Sequence, residues 1–316
     1  MAQNTRRCIK VRLASPRGFC AGVERAIRTV EEALCLHGAP VFVRHQIVHN
    51  AHVVERLEAM GAVFIEDLAE APDSRPLIFS AHGVSRAVQK AAAERSMTTI
   101  DATCPLVQKV HAETRRQALK GRHVVLVGHA GHPEVEGTMG QVEPGAVTLV
   151  QTKEDAEALE PPPGPLAYVT QTTLSVDDSA EIIAILQRRF PSIEGPRTAD
   201  ICYATTNRQS AVKRIAPGAD LVLVIGSPNS SNSRRLVDTA IAGGASTARL
   251  VEDPETCDLA ALDQIDVLGI TAGASAPEFL VERLLARLAR IYDLKIETVE
   301  TAEENIVFKT PMLMAG

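Results

Sequence analysis

Three cysteines, Cys20, Cys104 and Cys202, share one setting in this chain of 316 residues. Each falls where a short β-branched, apolar stretch gives way to a helical pattern. Cys20 lies between 9–14 (IKVRLA) and 23–36 (VERAIRTVEEALCL), Cys104 within 97–106 (MTTIDATCPL), and Cys202 within 198–204 (TADICYA). The spacing between them is about one small α/β unit each time. Three thiolates sent from such turns toward one centre would hold a metal ion or a cluster. Cys8, Cys35 and Cys257 lack this setting and read as small hydrophobic residues. The chain has no CxxC pair, which argues against rubredoxin-like, zinc-ribbon and ordinary ferredoxin sites.

His49, His82 and His132 stand in VHN, SAHG and GHAGHPEVEG, loops where an imidazole has no evident structural task, and are expected in a site. His45 and His129 lie close enough to support it, whereas His37, His52, His111 and His123 read as surface or packing residues. His129 and His132 are read as part of a glycine loop rather than one turn apart on a helix, and HExxH is missing, so a zinc hydrolase is weakly supported. GSPNSSNS, directly after the apolar run 220–226, offers backbone N–H groups, hydroxyls and a following helix N-terminus to an anion. Neither GxGxxG nor GxxxxGK[ST] occurs, so neither a standard dinucleotide site nor a P-loop is expected.

The elements that must position these groups alternate. Strands are expected at 41–44, 62–65 and 77–80 with helices at 23–36, 51–59 and 86–95. Then come helix 106–120, strand 123–128, a weaker strand 147–151, helix 153–159, a PPPGP loop and strand 166–170. Strands 220–226, 247–251 and 267–271, helix 277–288 and strand 295–299 complete the pattern. Short, nearly all-apolar strands between helices predict parallel sheets covered on both faces. The expected fold class is therefore α/β, with three similar units at 9–104, 105–201 and 202–299 and a tail at 300–316 that either crosses back or hangs free. Polar residues gather after the strands, where open parallel sheets form binding crevices: His45, His49 and Asn50; His82; His132 and Glu134; Thr172; Ser230, Ser231 and Asn232; Ser275.

A net charge of −6 gives no general attraction to a polyanion, and the lack of Trp with only three Tyr leaves no stacking surface, so nucleic acid is not an expected partner. The basic N-terminal residues lack an apolar core and a cleavage site, and no apolar run is long enough to span a membrane. A cytoplasmic address, where thiols stay reduced, is expected.

Nine segments in order carry a resemblance: PRGFCAGV (16–23), VHN (48–50), FSAHGVS (79–85), DATCPLV (101–107), GHPEVEGTMGQ (131–141), TQTTLSVDD (170–178), CYATTNRQ (202–209), NSSNSRRL (229–236) and TAGASAP (271–277). Together they resemble the signature segments of the 4-hydroxy-3-methylbut-2-enyl diphosphate reductase family, also called the LytB or IspH family. Ala130 stands where the family usually reads GHEGHP, a peripheral departure. The resemblance implies three α/β units in pseudo-threefold arrangement around a [4Fe-4S] cluster with three cysteine ligands, Cys20, Cys104 and Cys202, and one open iron. It implies that His49, His82, His132, Ser230, Ser231, Asn232 and Ser275 face the diphosphate, that Glu134 supplies a proton, and that Thr172 helps relay it. The implied reaction is reductive dehydroxylation of an allylic diphosphate to isopentenyl and dimethylallyl diphosphates, the last step of the non-mevalonate isoprenoid route. Ferredoxin or flavodoxin would donate the electrons, since no flavin or nicotinamide motif occurs. An iron-sulfur hydro-lyase acting on a small anion and a cluster-based redox sensor are the alternatives, separated from the reductase by electron stoichiometry.

Overall fold

In the computed structural model, which describes residues 6–259, 262 and 264–312, strand and helix alternate along most of the chain. The order is β1 (Cys8–Ser15), α1 (Ala21–His37), β2 (Val41–Arg44), α2 (Ala51–Ala59), β3 (Ala62–Ile65), β4 (Leu77–Phe79), α3 (Arg86–Glu94) and β5 (Thr99–Asp101). It continues with α4 (Pro105–Leu119), β6 (His123–Val127), α5 (Pro133–Met139), β7 (Val147–Val150), α6 (Lys153–Ala158), β8 (Leu166–Thr170) and α7 (Val176–Arg189). Then follow α8 (Tyr203–Ile215), β9 (Leu221–Ile225), α9 (Ser231–Ala242), β10 (Ala248–Val251), β11 (Val267–Ala272), α10 (Glu278–Ile291) and β12 (Asp293–Glu300).

The strands form three sheets, ordered β10-β9-β11-β1-β12, β3-β2-β4-β5 and β7-β6-β8, and their pairings are parallel. The α/β class with small parallel sheets expected from the alternating pattern is thus the fold observed. Parallel strands need cover on both faces, and LVLVI in β9 is buried throughout. One face of its sheet packs Ile9, Val11, Leu268 and Ile270 against Leu280, Leu284 and Leu288, the i, i+4, i+8 stripe of α10. The other face meets Ala211, Val212 and Ile215 of α8 and Leu236 and Ala240 of α9. Truncating a stripe residue such as the fully buried Leu284 to Ala would cost about 2–5 kcal/mol.

The chain divides into two compact units. One, Met1–Cys20 with Tyr203–Ile306, holds the five-stranded sheet; the other, Ala21–Cys202 with Val307–Gly316, holds the remaining two sheets. The strand at 9–14, expected with the 9–104 stretch, is hydrogen-bonded between β11 and β12. Its residues dictate a strand, but nothing local selects its parallel neighbours. No strand precedes Cys202: residues 195–201 are irregular, as Gly195 and Pro196 favour, and the carbonyls of Thr198 and Ala199 accept from Lys109 Nζ instead of a strand partner. The tail does not hang free through Glu304, for Thr301 donates from both N and Oγ1 to Ser15 O (2.9 and 3.0 Å) and Glu304 pairs with Arg208. Its residues 313–316 lie outside the described residues. No helix among the described residues is long and apolar enough to cross a membrane.

Candidate functional site

Cys20, Cys104 and Cys202 each occupy the position immediately before a helix, α1, α4 and α8 in turn. Their backbone N–H groups repeat one contact, each donating to the loop beyond a parallel strand. Cys20 N–H reaches Ala274 O (3.2 Å) beyond β11, Cys104 N–H reaches Ala81 O (3.0 Å) beyond β4, and Cys202 N–H reaches Thr172 O (3.1 Å) beyond β8. Pro105 at the first position of α4 fixes the backbone there, and the Cys104 side chain does not cap that helix. Cys8 and Cys35 are exposed, and Cys257, packed against the core of the five-stranded sheet, has its thiol pushed up by burial.

Within the unit Ala21–Cys202, the chain ends of β2, β4 and β6 bring three imidazoles together. The His49 and His82 rings stack at 4.1 Å, and His132 stands edge-on to them at 5.3 and 5.6 Å. Burial, then the neighbouring His49, His132 and His45, hold His82 well below the usual imidazole range. An anion placed against the three rings would reverse that balance and draw protons onto them. His132 also caps α5, its Nδ1 accepting from Glu134 N (3.1 Å), so the neutral ring carries its proton on Nε2. Gly83, at φ +79°, leaves no room for a side chain, because a Cβ there would meet His111 Cε1 at 2.5 Å. His111 is thereby a packing residue under the His82 loop, its pKa lowered to about 4 by burial and by Arg115.

Glu134 is 2% exposed and lies in the first turn of α5. The glycine loop expected around His132 and Glu134 is therefore helical from Pro133 onward, as proline at the first position followed by two acids favours. Both carboxylate oxygens accept from Thr172, Oε1 from its backbone N–H (2.6 Å) and Oε2 from its hydroxyl (2.9 Å). Burial raises the carboxyl to about 7, opposed by these two hydrogen bonds and assisted by the Asp200 charge. A proton on Glu134 is thus available near neutrality. Glu134, Thr172 and Cys202 form one hydrogen-bonded run.

The unit containing β9 and β11 assembles the remaining residues. Ser230 caps α9 by accepting from Ser233 N (3.3 Å), and Ser230, Ser231 and Asn232 are each buried. Asn232 Oδ1 accepts from Ala274 N (2.9 Å), so Asn232, the loop bearing Ser275 and Cys20 are joined through one residue. The Asn232 Nδ2 group is buried without a hydrogen-bond partner, a donor suited to an anionic ligand. Gly226 and Gly273 make this close packing possible, since a Cβ on either would fall 2.1 Å from Ser233 Oγ.

The sequence reading missed some positioning residues. Gln171 holds the His129 loop by accepting from His129 N (3.0 Å), and Asn50 also caps α2, its side chain accepting from Val53 N. Asp200, 5% exposed, accepts from Thr170 N (3.1 Å) and pairs with Lys109; its signal was an acid two residues before Cys202 in a mostly uncharged stretch.

A family model described as LytB protein matches residues 11–289. The 4-hydroxy-3-methylbut-2-enyl diphosphate reductase of Hyphomonas neptunium is 57% identical over 309 residues, 98% of each chain. The enzyme of that name from Gluconobacter oxydans is 58% identical over 98% of this chain and 93% of its own. The solved structure of the E-1-hydroxy-2-methyl-but-2-enyl-4-diphosphate reductase from Plasmodium falciparum superposes with a TM-score of 0.92, at 39% identity, over 97% of this chain and 96% of that one.

Proposed function

The chain belongs to the LytB protein family, and from that membership we infer that it is an oxidoreductase, a 4-hydroxy-3-methylbut-2-enyl diphosphate reductase. One allylic diphosphate, two electrons and two protons become isopentenyl or dimethylallyl diphosphate and one water. The observation that carries this reading is the run from Cys202 through Thr172 to a buried acid, Glu134, whose proton is held to about neutral pH.

Cys20, Cys104 and Cys202 would hold a [4Fe-4S] cluster. Three thiols at three helix N-termini, with backbones tied down alike, are donors of the kind such a group takes and support this reading, although among the described residues no group of three or more His, Cys, Asp or Glu is gathered as a metal site. When bound, the cluster supplies electrons and an iron lacking a protein ligand, a Lewis acid for the substrate oxygen. His49, His82 and His132, with Ser230, Ser231, Asn232 and Ser275, hold the diphosphate; His82, kept neutral by burial in the free protein, takes up a proton as the anion raises its pKa. Glu134 delivers a proton to the departing oxygen or the allyl fragment, and Thr172 orients the carboxyl and relays the proton. Ferredoxin or flavodoxin supplies electrons singly, and the reaction runs in the cytoplasm, where cluster thiolates are kept reduced. The stretches 9–104, 105–201 and 202–299 are three similar α/β units, with β1 paired outside its own stretch; the three parallel sheets support this reading.

Anaerobically prepared protein should contain about four irons and four acid-labile sulfides per chain. One zinc and no labile sulfide after growth with ample iron would refute the cluster.

A further inference from the structure

Each helix that follows one of the three cysteines carries a basic residue five or six positions further on: Arg25 after Cys20, Lys109 after Cys104, Arg208 after Cys202. Arg25 Nη1 and Nη2 donate to Thr103 O (3.0 Å) and Asp101 O (3.3 Å), the backbone leading into Cys104. Lys109 Nζ donates to Thr198 O (2.8 Å) and Ala199 O (2.7 Å) and pairs with Asp200 (3.3 Å), the backbone leading into Cys202. Arg208 Nε and Nη2 donate to Gly18 O (3.0 and 2.7 Å), and Nη2 also to Phe19 O (3.1 Å), the backbone leading into Cys20. The order closes on itself: the helix after each cysteine grips the approach to the next.

A buried arginine joining carbonyls is common stitching, and one such contact would mean little. Three at nearly the same offset, each on the segment before the next cysteine, share a target that stitching does not require. Arg208 is fully buried and Arg25 is 7% exposed, so their charges lie away from solvent. Each is held elsewhere by the tail, Arg208 by the Glu304 carboxylate (3.0 Å) and Arg25 by Lys309 O (2.8 Å).

We propose that Arg25, Lys109 and Arg208 are positioning residues for the cluster thiolates, each fixing the backbone of one cysteine from the helix that follows another. This rests on the cluster assignment made above. Residues that orient metal ligands typically change metal affinity by about 10- to 100-fold when removed.

The test uses the anaerobically purified holoprotein. Lys109, whose side chain is 35% exposed, can be replaced by Met without opening a buried hole, and Lys109→Arg is the conservative restoration. Arg208→Lys keeps a cation but loses the fork that reaches two carbonyls. Iron release to a chelator is followed with a thiol-alkylating reagent present, and peptide mapping reads which cysteine is freed first. Electron paramagnetic resonance of the reduced cluster is recorded alongside. Release should quicken roughly 10- to 100-fold in Lys109→Met with Cys202 alkylated first, and in Arg208→Lys with Cys20 first, with altered spectra; Lys109→Arg should restore both. Wild-type release rates, or the same cysteine leading in every variant, would overturn the proposal. Should the wild-type protein hold no iron and sulfide, the cluster assignment fails instead, and the selectivity of alkylation among the three thiols still decides whether the clamps act as described.

Discussion

Replacing Glu134 by Gln isolates one proton whose energetics follow from the structure. The carboxyl is buried, accepts two hydrogen bonds from Thr172, and has its pKa raised from 4.5 to about 7. That shift corresponds to about 3 kcal/mol of linkage between protonation and folding. Because the folded-state value is the higher one, the contribution is fully present below pH 4.5, declines as pH rises, and is lost above about 7. Gln keeps the size and the acceptor for Thr172 N but has no proton to lose. The difference in unfolding free energy, wild type minus Glu134→Gln, should therefore fall by about 3 kcal/mol between those pH values and be flat outside them, with groups common to both proteins cancelling. Urea titrations of both proteins across this range measure it, and the infrared band of the protonated carboxyl, present only in the wild type, gives the midpoint independently. In single turnover with excess chemical reductant, the variant should lose roughly 10²- to 10⁴-fold in kcat with its cluster spectrum intact. A pH-independent stability difference, or a carboxyl midpoint near that of an exposed glutamate, would refute the reasoning.

Thr172→Val removes one of the hydrogen bonds that lower the Glu134 pKa, so the infrared midpoint should move further up and turnover should fall less than in Glu134→Gln; an unmoved midpoint would contradict this. Substrate binding should draw protons onto the imidazole group, since His82 is held below its usual range in the free protein; calorimetry in buffers of different ionisation enthalpy should show proton uptake and weaker binding as pH rises. Replacing His49, His82 or His132 by Ala should cost roughly 1.5–3 kcal/mol of binding each, and unchanged affinity in all three would put the diphosphate elsewhere. Gly83→Ala, which brings a Cβ to 2.5 Å from His111 Cε1 at a positive φ, should lower stability by roughly 1–3 kcal/mol and weaken binding through the His82 loop; chemical denaturation and calorimetry read both.

Elements built on strong local patterns were legible. The apolar run in β9 and the amphipathic α1 fall where hydrophobic periodicity put them, and the polar loops beyond β4 and β8 stand at parallel-strand ends as expected. Partnering was not legible, because β1 reads the same whether it pairs with β2 or, as it does, with β11 and β12. Glycine around His132 suggested a loop, yet Pro133 with Glu134 and Glu136 gave the helix signal that prevailed. The basic residues after each cysteine were visible in the sequence, but their common target is a set of backbone carbonyls far along the chain, which no local pattern announces.

The protein reduces its substrate rather than dehydrating it. Anaerobic protein is given (E)-4-hydroxy-3-methylbut-2-enyl diphosphate and a measured amount of one-electron reductant, and products and electrons are counted together. Two electrons consumed for each isopentenyl or dimethylallyl diphosphate formed, with no conversion when reductant is withheld, is the predicted result. Loss of water from the substrate without consumption of reductant, or no conversion by protein carrying its full iron and sulfide, would contradict it.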